Sequence, residues 1–254
     1  MMESKDLKKL ISESSKVQVY ELGDKCVKIF KEPDEPKSVV FYEALTYSRV
    51  EETGYEKIPE LIETSKIDGK WAIVCAFKKG KTLEALMREN PDKRDEYLSL
   101  MADLQAEINA LRSPKLSRQK DYLKRSIEGL DMIDDVKKYE LLSKLSAFQE
   151  QTNLCHGEFM PENIIVGDEG TFVVDWLKAK QGDALADAAR TYVGFCLKHK
   201  TESAERYLKI YCEKVGADRK SIQEWIPIIA AAQLKFKRPE ERELLLTWLD
   251  VADY

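Results

Sequence analysis

The stretch from residue 154 to residue 176 constrains this chain more than any other part of its sequence. It reads LCHGEFMPENIIVGDEGTFVVDW, in which two strand-like segments flank a turn at residues 167–170. Two strands joined by so short a turn form a hairpin, so Asn163 and Asp175 are expected near the same end of it. An amide oxygen and a carboxylate are oxygen ligands of the kind that Mg²⁺ prefers alongside phosphate. We therefore predict a metal site at Asn163 and Asp175.

The polar loop before this hairpin carries a second carboxylate, Glu158, and a histidine, His156. Kinase phosphoryl transfer uses one acidic residue at the attacking hydroxyl, and an Asn and an Asp at the metals. Glu158, Asn163 and Asp175 match that division, and His156 is expected to support the loop by hydrogen bonding. Each element alone also has an ordinary interpretation as a strand start, a turn or a core histidine. Their joint order after a β-rich segment favours phosphoryl transfer.

The rest of the chain predicts a mixed β lobe followed by an α-rich lobe, an α+β fold. Residues 17–22 and 25–30 alternate with the period of strands around a Gly-Asp turn, which indicates a hairpin. From residue 82 onward apolar residues recur at helical spacing. The expected domains are therefore 1–80 and 81–254. In chain order we further predict a helix at 38–45, strands at 60–66 and 71–77, helices at 82–87, 95–111 and 122–148, strands at 163–166 and 171–175, and helices from 184 onward that break near Lys200 and Gly216.

The composition disfavours several classes of partner. A formal net charge of −5 leaves no basic excess for nucleic acid or an anionic membrane, although a small phosphorylated ligand is compatible with it. No apolar run approaches the roughly 20 residues that span a bilayer, and the first residues lack the apolar core of a signal peptide. The five cysteines are odd in number and scattered, which indicates reduced thiols. We therefore expect a cytoplasmic protein.

Residues 156–163 (HGEFMPEN) and 174–176 (VDW) resemble two motifs of the aminoglycoside phosphotransferase and choline kinase family, which usually read HGDxxPxN and IDW. Residues 182–189 (GDALADAA) are similar to its GDPxxDxA segment, and the likeness covers most of residues 12–200. The resemblance implies a protein-kinase-like fold with a small β-rich N-lobe and a larger α-helical C-lobe. It implies ATP and Mg²⁺ as cofactors. The implied activity is transfer of the γ-phosphate to a hydroxyl of an aminoglycoside-, aminoalcohol- or sugar-like small molecule.

The resemblance also implies a set of nucleotide-binding residues. Lys28 matches the lysine that contacts the α- and β-phosphates, and Glu43 matches the acid that pairs with it. Cys75 and Phe77 lie in a segment that resembles the hinge, where backbone groups bind adenine. Ser14 and Ser15 stand where the family usually has a glycine-bearing phosphate loop, and this chain has no glycine there. The phosphate loop is therefore expected to be less permissive than in the family.

Glu158 departs from the aspartate that the family pattern has. The added methylene moves the carboxylate by roughly 1.5 Å, one bond length. The backbone can be adjusted so that Glu158 works, or a bulky or distant acceptor can suit the longer side chain. Alternatively, catalysis is lost and the chain is a nucleotide-binding pseudokinase that regulates a partner. A protein kinase is disfavoured because no recognisable activation segment lies between Asp175 and Gly182.

The chemistry of the acceptor is left open by the sequence, as are the oligomeric state and the choice between ATP and GTP. A polycationic aminoglycoside needs a carboxylate-rich pocket, and a choline-like acceptor needs an aromatic cage. Asp183 and Asp187 belong to the third motif and are expected to brace the catalytic loop instead. Most other acids and aromatic residues are equally well explained as solvated or core side chains. The candidates are the acids Glu224, Glu240, Glu241 and Asp250, and the aromatic residues Trp176, Tyr192, Trp225 and Trp248.

Overall fold

The structure, a computed structural model, describes residue 7, residues 9–32 and residues 35–249. It divides into two compact units. The first comprises Met1–Glu89 and Pro161–Leu177, and the second comprises Asn90–Met160 and Lys178–Tyr254. The division falls inside the motif of residues 156–163, whose first five residues belong to the second unit. The assignment of nucleotide binding to residues 1–80, and of the catalytic loop and acceptor to residues 81–254, stays a prediction.

Strands and helices are mixed along the chain, which confirms the predicted α+β class. The strands are β1 (Lys9–Glu13), β2 (Val17–Leu22), β3 (Lys25–Phe30), β4 (Leu61–Ile67), β5 (Lys70–Ala76), β6 (Lys81–Thr82), β7 (Asn153–Cys155), β8 (Ile164–Gly167), β9 (Gly170–Val173) and β10 (Lys180–Gly182). The α-helices are α1 (Lys37–Glu51), α2 (Leu83–Glu89), α3 (Arg94–Ala110), α4 (Gln119–Glu128), α5 (Asp135–Ala147), α6 (Ala184–Leu197), α7 (Thr201–Val215), α8 (Arg219–Gln223), α9 (Ile226–Leu234) and α10 (Pro239–Leu249). Short 3-10 helices lie at Pro91–Lys93, Pro161–Asn163 and Trp176–Lys178.

The first unit is built on a five-stranded antiparallel sheet in the order β1-β2-β3-β5-β4. The predicted hairpin is confirmed as β2 and β3. One face carries a buried apolar cluster of Val27, Ile29, Ile67, Ala72 and Val74. On the other face Phe30 and Ile73 pack against Val40 of α1. Because side chains alternate along a strand, Lys28 lies on the same face as Phe30.

The predicted hairpin of the central motif is also confirmed. β8 and β9 pair with Ile164 opposite Val173, and β6 extends them to a three-stranded antiparallel sheet. The second strand, β9, ends at Val173, two residues earlier than the predicted end at Asp175. The Val174 N–H donates to the Asn163 carbonyl at 2.9 Å. Residues 163 and 175 therefore lie at the same open end of the hairpin.

The second unit consists mainly of helices, with β7 and β10 paired so that Cys155 lies opposite Lys180. α9 is buried along its whole length, as expected of a helix that is apolar all round. The prediction of one helix over 122–148 is wrong, because α4 and α5 are separated. α5 begins after Asp134, whose side chain accepts the Lys137 N–H at 2.7 Å and so caps the new helix. Within the described ranges, no helix combines the length and apolar character needed to cross a membrane.

Candidate active site

Three charged side chains of the first unit lie together on the α1 side of the five-stranded sheet. β3 carries Lys28 and α1 carries Glu43, and Lys28 Nζ lies 2.6 Å from Glu43 Oε1. The same nitrogen lies 3.7 Å from Asp175 Oδ1. The Glu43 side chain is 8% exposed, that of Lys28 22% and that of Asp175 42%. The cluster is thus buried at Glu43 and open at Asp175, and it joins three residues that the sequence singled out.

Burial acts on the pKa values of this cluster. Burial lowers the pKa of Lys28, but the Glu43 and Asp175 carboxylates outweigh it, so the pKa lies above its ordinary value. Burial raises the pKa of Glu43, and the Lys28 ammonium offsets only part of that rise. Glu43 Oε2 is buried without a hydrogen-bond partner among the residues that the structure describes. Glu43 therefore depends on Lys28 to remain charged.

The backbone at Asp175 is held in an uncommon conformation. Its φ is 64°, in the left-handed region that, apart from glycine, Asn and Asp tolerate best. The next residue, Trp176, is buried, donates its indole N–H to the Val173 carbonyl at 2.9 Å and meets the Tyr55 ring edge-on. These contacts fix the turn that presents the Asp175 carboxylate. Strain held in place by its surroundings is characteristic of functional sites.

Asn163 and Asp175 suit Mg²⁺ better than a metal held by protein ligands alone. Among the described residues, no group of three or more His, Cys, Asp or Glu side chains is arranged to hold an ion. Mg²⁺ commonly binds through one or two protein oxygens and completes its coordination with water and substrate phosphates. A partly exposed carboxylate beside a lysine, with an Asn at the same end of the hairpin, fits that mode. The two ligands stay a prediction.

In the second unit, the buried carboxylate of Asp187 in α6 braces the loop of residues 156–160. Asp187 accepts hydrogen bonds from the backbone N–H groups of His156 at 3.2 Å and Gly157 at 2.8 Å. It also accepts from the side-chain amides of Gln105 at 3.1 Å and Asn109 at 3.2 Å, which lie on α3. A buried carboxylate is costly unless it is hydrogen-bonded in this way. The bracing role expected of Asp187 is therefore present in the structure.

Gly157 and His156 give this loop its shape. Gly157 has a φ of 79°, and a Cβ there would collide with the Lys178 carbonyl, so no other residue fits without rearrangement. His156 is fully buried, its Nδ1 accepts the Glu158 N–H at 3.3 Å, and its ring meets Phe159 edge-on. These contacts place His156 as a support of the loop, and its part in catalysis stays a prediction.

The Glu158 carboxylate is paired with a lysine that no motif singled out. Lys178 Nζ lies 2.6 Å from Glu158 Oε1, and the two side chains are 32% and 34% exposed. Lys178 ends the 3-10 helix that follows Asp175, and this place after the Asp-Trp motif is its one sequence signal. An ion pair with this exposure contributes at most about 1 kcal/mol. A ligand can therefore displace it.

Residues 10–225 match a family model described as the phosphotransferase enzyme family. This chain belongs to the phosphotransferase enzyme family. The predicted resemblance is thereby confirmed, and with it the enzyme class, a small-molecule kinase that phosphorylates hydroxyl groups. No curated protein matches the sequence significantly.

Solved structures share the fold of this family member at low sequence identity. A thermostable mutant of aminoglycoside phosphotransferase APH(4)-Ia in its apo form is 15% identical, with 96% of this chain and 93% of that chain covered and a TM-score of 0.68. A choline/ethanolamine kinase family protein from Mesorhizobium loti is 14% identical, with coverage of 98% and 82% and a TM-score of 0.60. The amicoumacin kinase hAmiN is 11% identical, with coverage of 97% and 87% and a TM-score of 0.66. These likenesses confirm the protein-kinase-like fold.

The residues predicted for the phosphate loop and the hinge of this phosphotransferase are spread over the first unit. Ser14 and Ser15 form the turn between β1 and β2, where Ser14 Oγ accepts the Val17 N–H at 3.2 Å and Ser15 is exposed. A serine side chain thus closes a turn that is glycine-bearing in the family pattern. The Phe77 N–H donates to the Asp24 carbonyl at 2.7 Å. A nucleobase would therefore need a different backbone donor from this segment.

Cys75, the other predicted hinge residue, lies directly opposite Cys26 across β3 and β5. Burial raises the pKa of Cys75 to about 12 and that of Cys26 to about 11. Both side chains are free thiols and half-buried. Both thiols are therefore protonated and uncharged at neutral pH. Contact of Cys75 with a nucleotide stays a prediction.

The structure removes several candidates for binding the acceptor. Trp176 and Trp225 are each 1% exposed, and Trp225 stacks on Phe148 with ring centroids 3.8 Å apart. Neither is available for a cation cage, because both rings are buried in the core. Glu241 is also buried and paired with Arg238 at 2.7 Å. Asp250 lies outside the described residues.

Sequence reasoning missed the polar network behind Asp187. Tyr207 and Tyr211 of α7 reach α3, where Tyr207 donates to Gln105 and Tyr211 donates to Asn109 at 2.9 Å. Gln105 and Asn109 lie one helical turn apart among apolar residues of α3, and the two tyrosines are spaced likewise in α7. Polar residues at that spacing on otherwise buried faces are the signal that could have revealed the network.

Proposed function

We propose that this protein transfers the γ-phosphate of Mg·ATP to a hydroxyl group of a small molecule. The observation that carries the proposal is the Lys28–Glu43–Asp175 cluster, in a chain that belongs to the phosphotransferase family. Lys28 binds the nucleotide phosphates, while Asn163 and Asp175 hold Mg²⁺. The metal supplies neutralisation of the charge that develops on the phosphates. Glu43 keeps the Lys28 ammonium directed at its ligand.

Relatives of the same fold support the choice of a nucleotide as phosphate donor. The structures include APH(4)-Ia with ADP and hygromycin B, and APH(2")-IIa with streptomycin and ATP. An aminoglycoside 2'-phosphotransferase-IIIa was solved as a GDP complex. The donor test therefore includes GTP beside ATP.

Glu158 orients the acceptor hydroxyl in this proposal. Because phosphoryl transfer has a loose transition state, the acidic residue mainly positions the nucleophile. The ion pair with Lys178 holds the longer glutamate side chain in one place. Tethering of this kind offsets the extra freedom that the added methylene brings.

Phosphate transfer from radiolabelled ATP and GTP to a broad panel of hydroxyl compounds tests the proposal. A melting assay with Mg·ATP runs beside it. We expect transfer to at least one compound, slow ATP turnover without acceptor, and nucleotide stabilisation, all lost in Asp175→Ala. Absence of every one of these activities in the wild type would remove the enzymatic assignment.

A nucleotide-binding pseudokinase is the second candidate, because Glu158 replaces the aspartate of the family pattern and is ion-paired. It predicts stabilisation by Mg·ATP without any turnover. Glu158→Asp distinguishes the two candidates. If the wild type is a working kinase, the shorter side chain loses its contact with Lys178 and transfer falls. If the wild type is a pseudokinase, the substitution leaves transfer at zero or creates it.

A further inference from the structure

Cations and aromatic rings lie side by side on the second unit next to Glu158. We call the set of Lys178, Lys180, Lys235, Arg238, Tyr122 and Phe236 the basic strip. Over the Phe236 ring lie Lys178 Nζ at 5.4 Å, Lys235 Nζ at 5.3 Å and Arg238 Cζ at 5.7 Å from the centroid. Over the Tyr122 ring lie Lys235 Nζ at 4.1 Å and Lys180 Nζ at 5.4 Å. Since Lys178 also contacts Glu158, the strip begins at the candidate catalytic carboxylate.

Part of the positive charge of the strip is not neutralised by the described protein. Lys178 is paired with Glu158, and Arg238 with Glu241. Lys180 and Lys235 have no ion pair with another described residue, and their ammonium groups lie over Tyr122 instead. Like charges gathered in one place repel one another. A bound anion is the ligand that relieves this repulsion.

A cavity of about 420 Å³ adjoins the strip at Arg238, which is within the size range of small-molecule sites. Lys237 and Arg242 also line it. The one carboxylate among its described lining residues is Asp131, which lies 3.4 Å from Lys237 Nζ. The cavity therefore continues the positive character of the strip.

The ion pair at Glu158 favours the same kind of ligand. An unpaired carboxylate would repel an anionic acceptor as its hydroxyl approached, and would attract a cationic one. Lys178 cancels that charge at contact distance. A cationic acceptor would also meet Lys178 and Lys235 on the strip, which repel it.

We infer that the acceptor is an anion, a small hydroxyl compound that carries a phosphate or carboxylate group. The inference rests on the proposed function, because it names the acceptor of the same reaction. The anionic group binds at Lys180 and Lys235, and the hydroxyl lies at Glu158. Lysine and arginine bind such groups through charge-assisted hydrogen bonds. Aminoglycoside-like and choline-like acceptors carry the opposite charge and are therefore disfavoured.

Charge-matched acceptors test the inference on the full chain. One set is glucose 6-phosphate, glucose and glucosamine, and the other is glycerate, glycerol and 2-amino-1,3-propanediol. Phosphate transfer is measured with Mg·ATP, and the Tm is measured with each compound alone. We expect the anionic member of at least one set to raise the Tm and to exceed its partners at least about tenfold in kcat/KM. High salt should abolish the Tm shift. Preference for the neutral or cationic members, or no response to either anion, overturns the inference.

Lysine substitutions locate the binding of the anion. Lys235→Gln and Lys180→Gln should each raise the KM or the dissociation constant of the anionic compound about tenfold, whereas Lys235→Arg should preserve it. Lys209→Gln removes an exposed lysine of α7 outside the strip and should change nothing. Equal effects of the strip and control substitutions overturn the inference.

Two measurements distinguish failure of the acceptor inference from failure of the kinase proposal. They are the stabilisation by Mg·ATP and its dependence on Asp175. If both are present while the anions fail, the inference on the acceptor falls alone. If both are absent as well, the kinase proposal falls with it.

Discussion

Each of the two units has one lysine–carboxylate pair among its candidate functional residues, and the two pairs differ in depth. In the first unit Lys28 and Glu43 pair with side chains 22% and 8% exposed. In the second unit Lys178 and Glu158 pair with side chains 32% and 34% exposed. Breaking a buried pair leaves a charge that water cannot reach, whereas an exposed pair is worth about 1 kcal/mol or less. The first pair is therefore part of the folded framework, and the second lies where a ligand can reach it.

This difference in depth corresponds to a difference in the ligands of the proposed function. The nucleotide phosphates are the same in every turnover, and a fixed cation suits them because it needs no reorganisation. The acceptor hydroxyl has to approach Glu158 and depart after transfer. A partly exposed pair can hold the Glu158 carboxylate in position and still leave it within reach of a hydroxyl that arrives and departs.

The largest expected effect is at Asp175, the exposed member of the first cluster. Asp175→Asn keeps the size of the side chain and tolerance of the left-handed backbone, but removes the charge that faces Lys28. We expect phosphate transfer to fall about 10²- to 10³-fold with little change in Tm. Asp168→Asn, in the exposed turn of the same hairpin, is the control and should alter neither. A loss of less than tenfold at Asp175 would remove it from the catalytic machinery.

The next effect is on stability, at the buried pair. Lys28→Met leaves the Glu43 carboxylate buried without its cation, and urea unfolding should show a loss of about 2–3 kcal/mol. The double variant Lys28→Met with Glu43→Leu should recover most of it, because an apolar pair replaces the ionic one. Lys124→Met in α4, whose lysine is 62% exposed and pairs with Glu128 at 3.8 Å, is the control. If Lys28→Met lowers the free energy of unfolding no more than Lys124→Met does, the buried pair contributes no more to stability than an exposed one.

The pH dependence of the Lys28→Met variant sharpens this test. Burial raises the pKa of Glu43 in the folded state. The contribution of Glu43 to the free energy of unfolding is therefore fully present below its unfolded pKa of about 4.3, and it is lost as pH rises through the folded pKa. Without the Lys28 ammonium that pKa rises further. The deficit of the variant should therefore grow from pH 5 to pH 8. The pKa of Lys28 is raised as well, so in the wild type its contribution is fully present below about pH 10.4 and is lost as pH rises through the folded pKa.

Sequence reasoning identified the members of the Lys28–Glu43–Asp175 cluster, but it missed the contacts that Lys178 and Lys235 make in the second unit. The difference has a physical reason. The family resemblance implied Lys28 and Glu43, and a short turn put Asn163 and Asp175 at one end of a hairpin. Motifs and turns of this kind can be recognised because their residues are close together in the sequence. The contacts of Lys178 and Lys235 depend instead on how helices far apart in sequence return to one loop. Helical periodicity shows which face is apolar, but not which exposed lysines meet.

The wrong predictions have related causes. Trp225 was a candidate for a cage, yet it lies at the start of the apolar α9 and is buried against Phe148. The helical pattern over 122–148 persisted through the segment between α4 and α5, because apolar spacing continued across it. Asp134 caps the start of α5. Hydrophobic periodicity alone does not reveal such a cap.

The smallest expected effect concerns the second pair. Lys178→Met removes the ammonium but keeps the apolar stem beside Phe236, so the change in unfolding free energy should stay below about 1 kcal/mol. Transfer should fall about tenfold, chiefly in kcat, because Glu158 is no longer held where it meets the hydroxyl. The same control, Lys124→Met, should leave kcat unchanged. A stability loss as large as that of Lys28→Met would show that the two pairs are equivalent. An unchanged kcat would show that Glu158 is positioned by its loop and Asp187 rather than by Lys178.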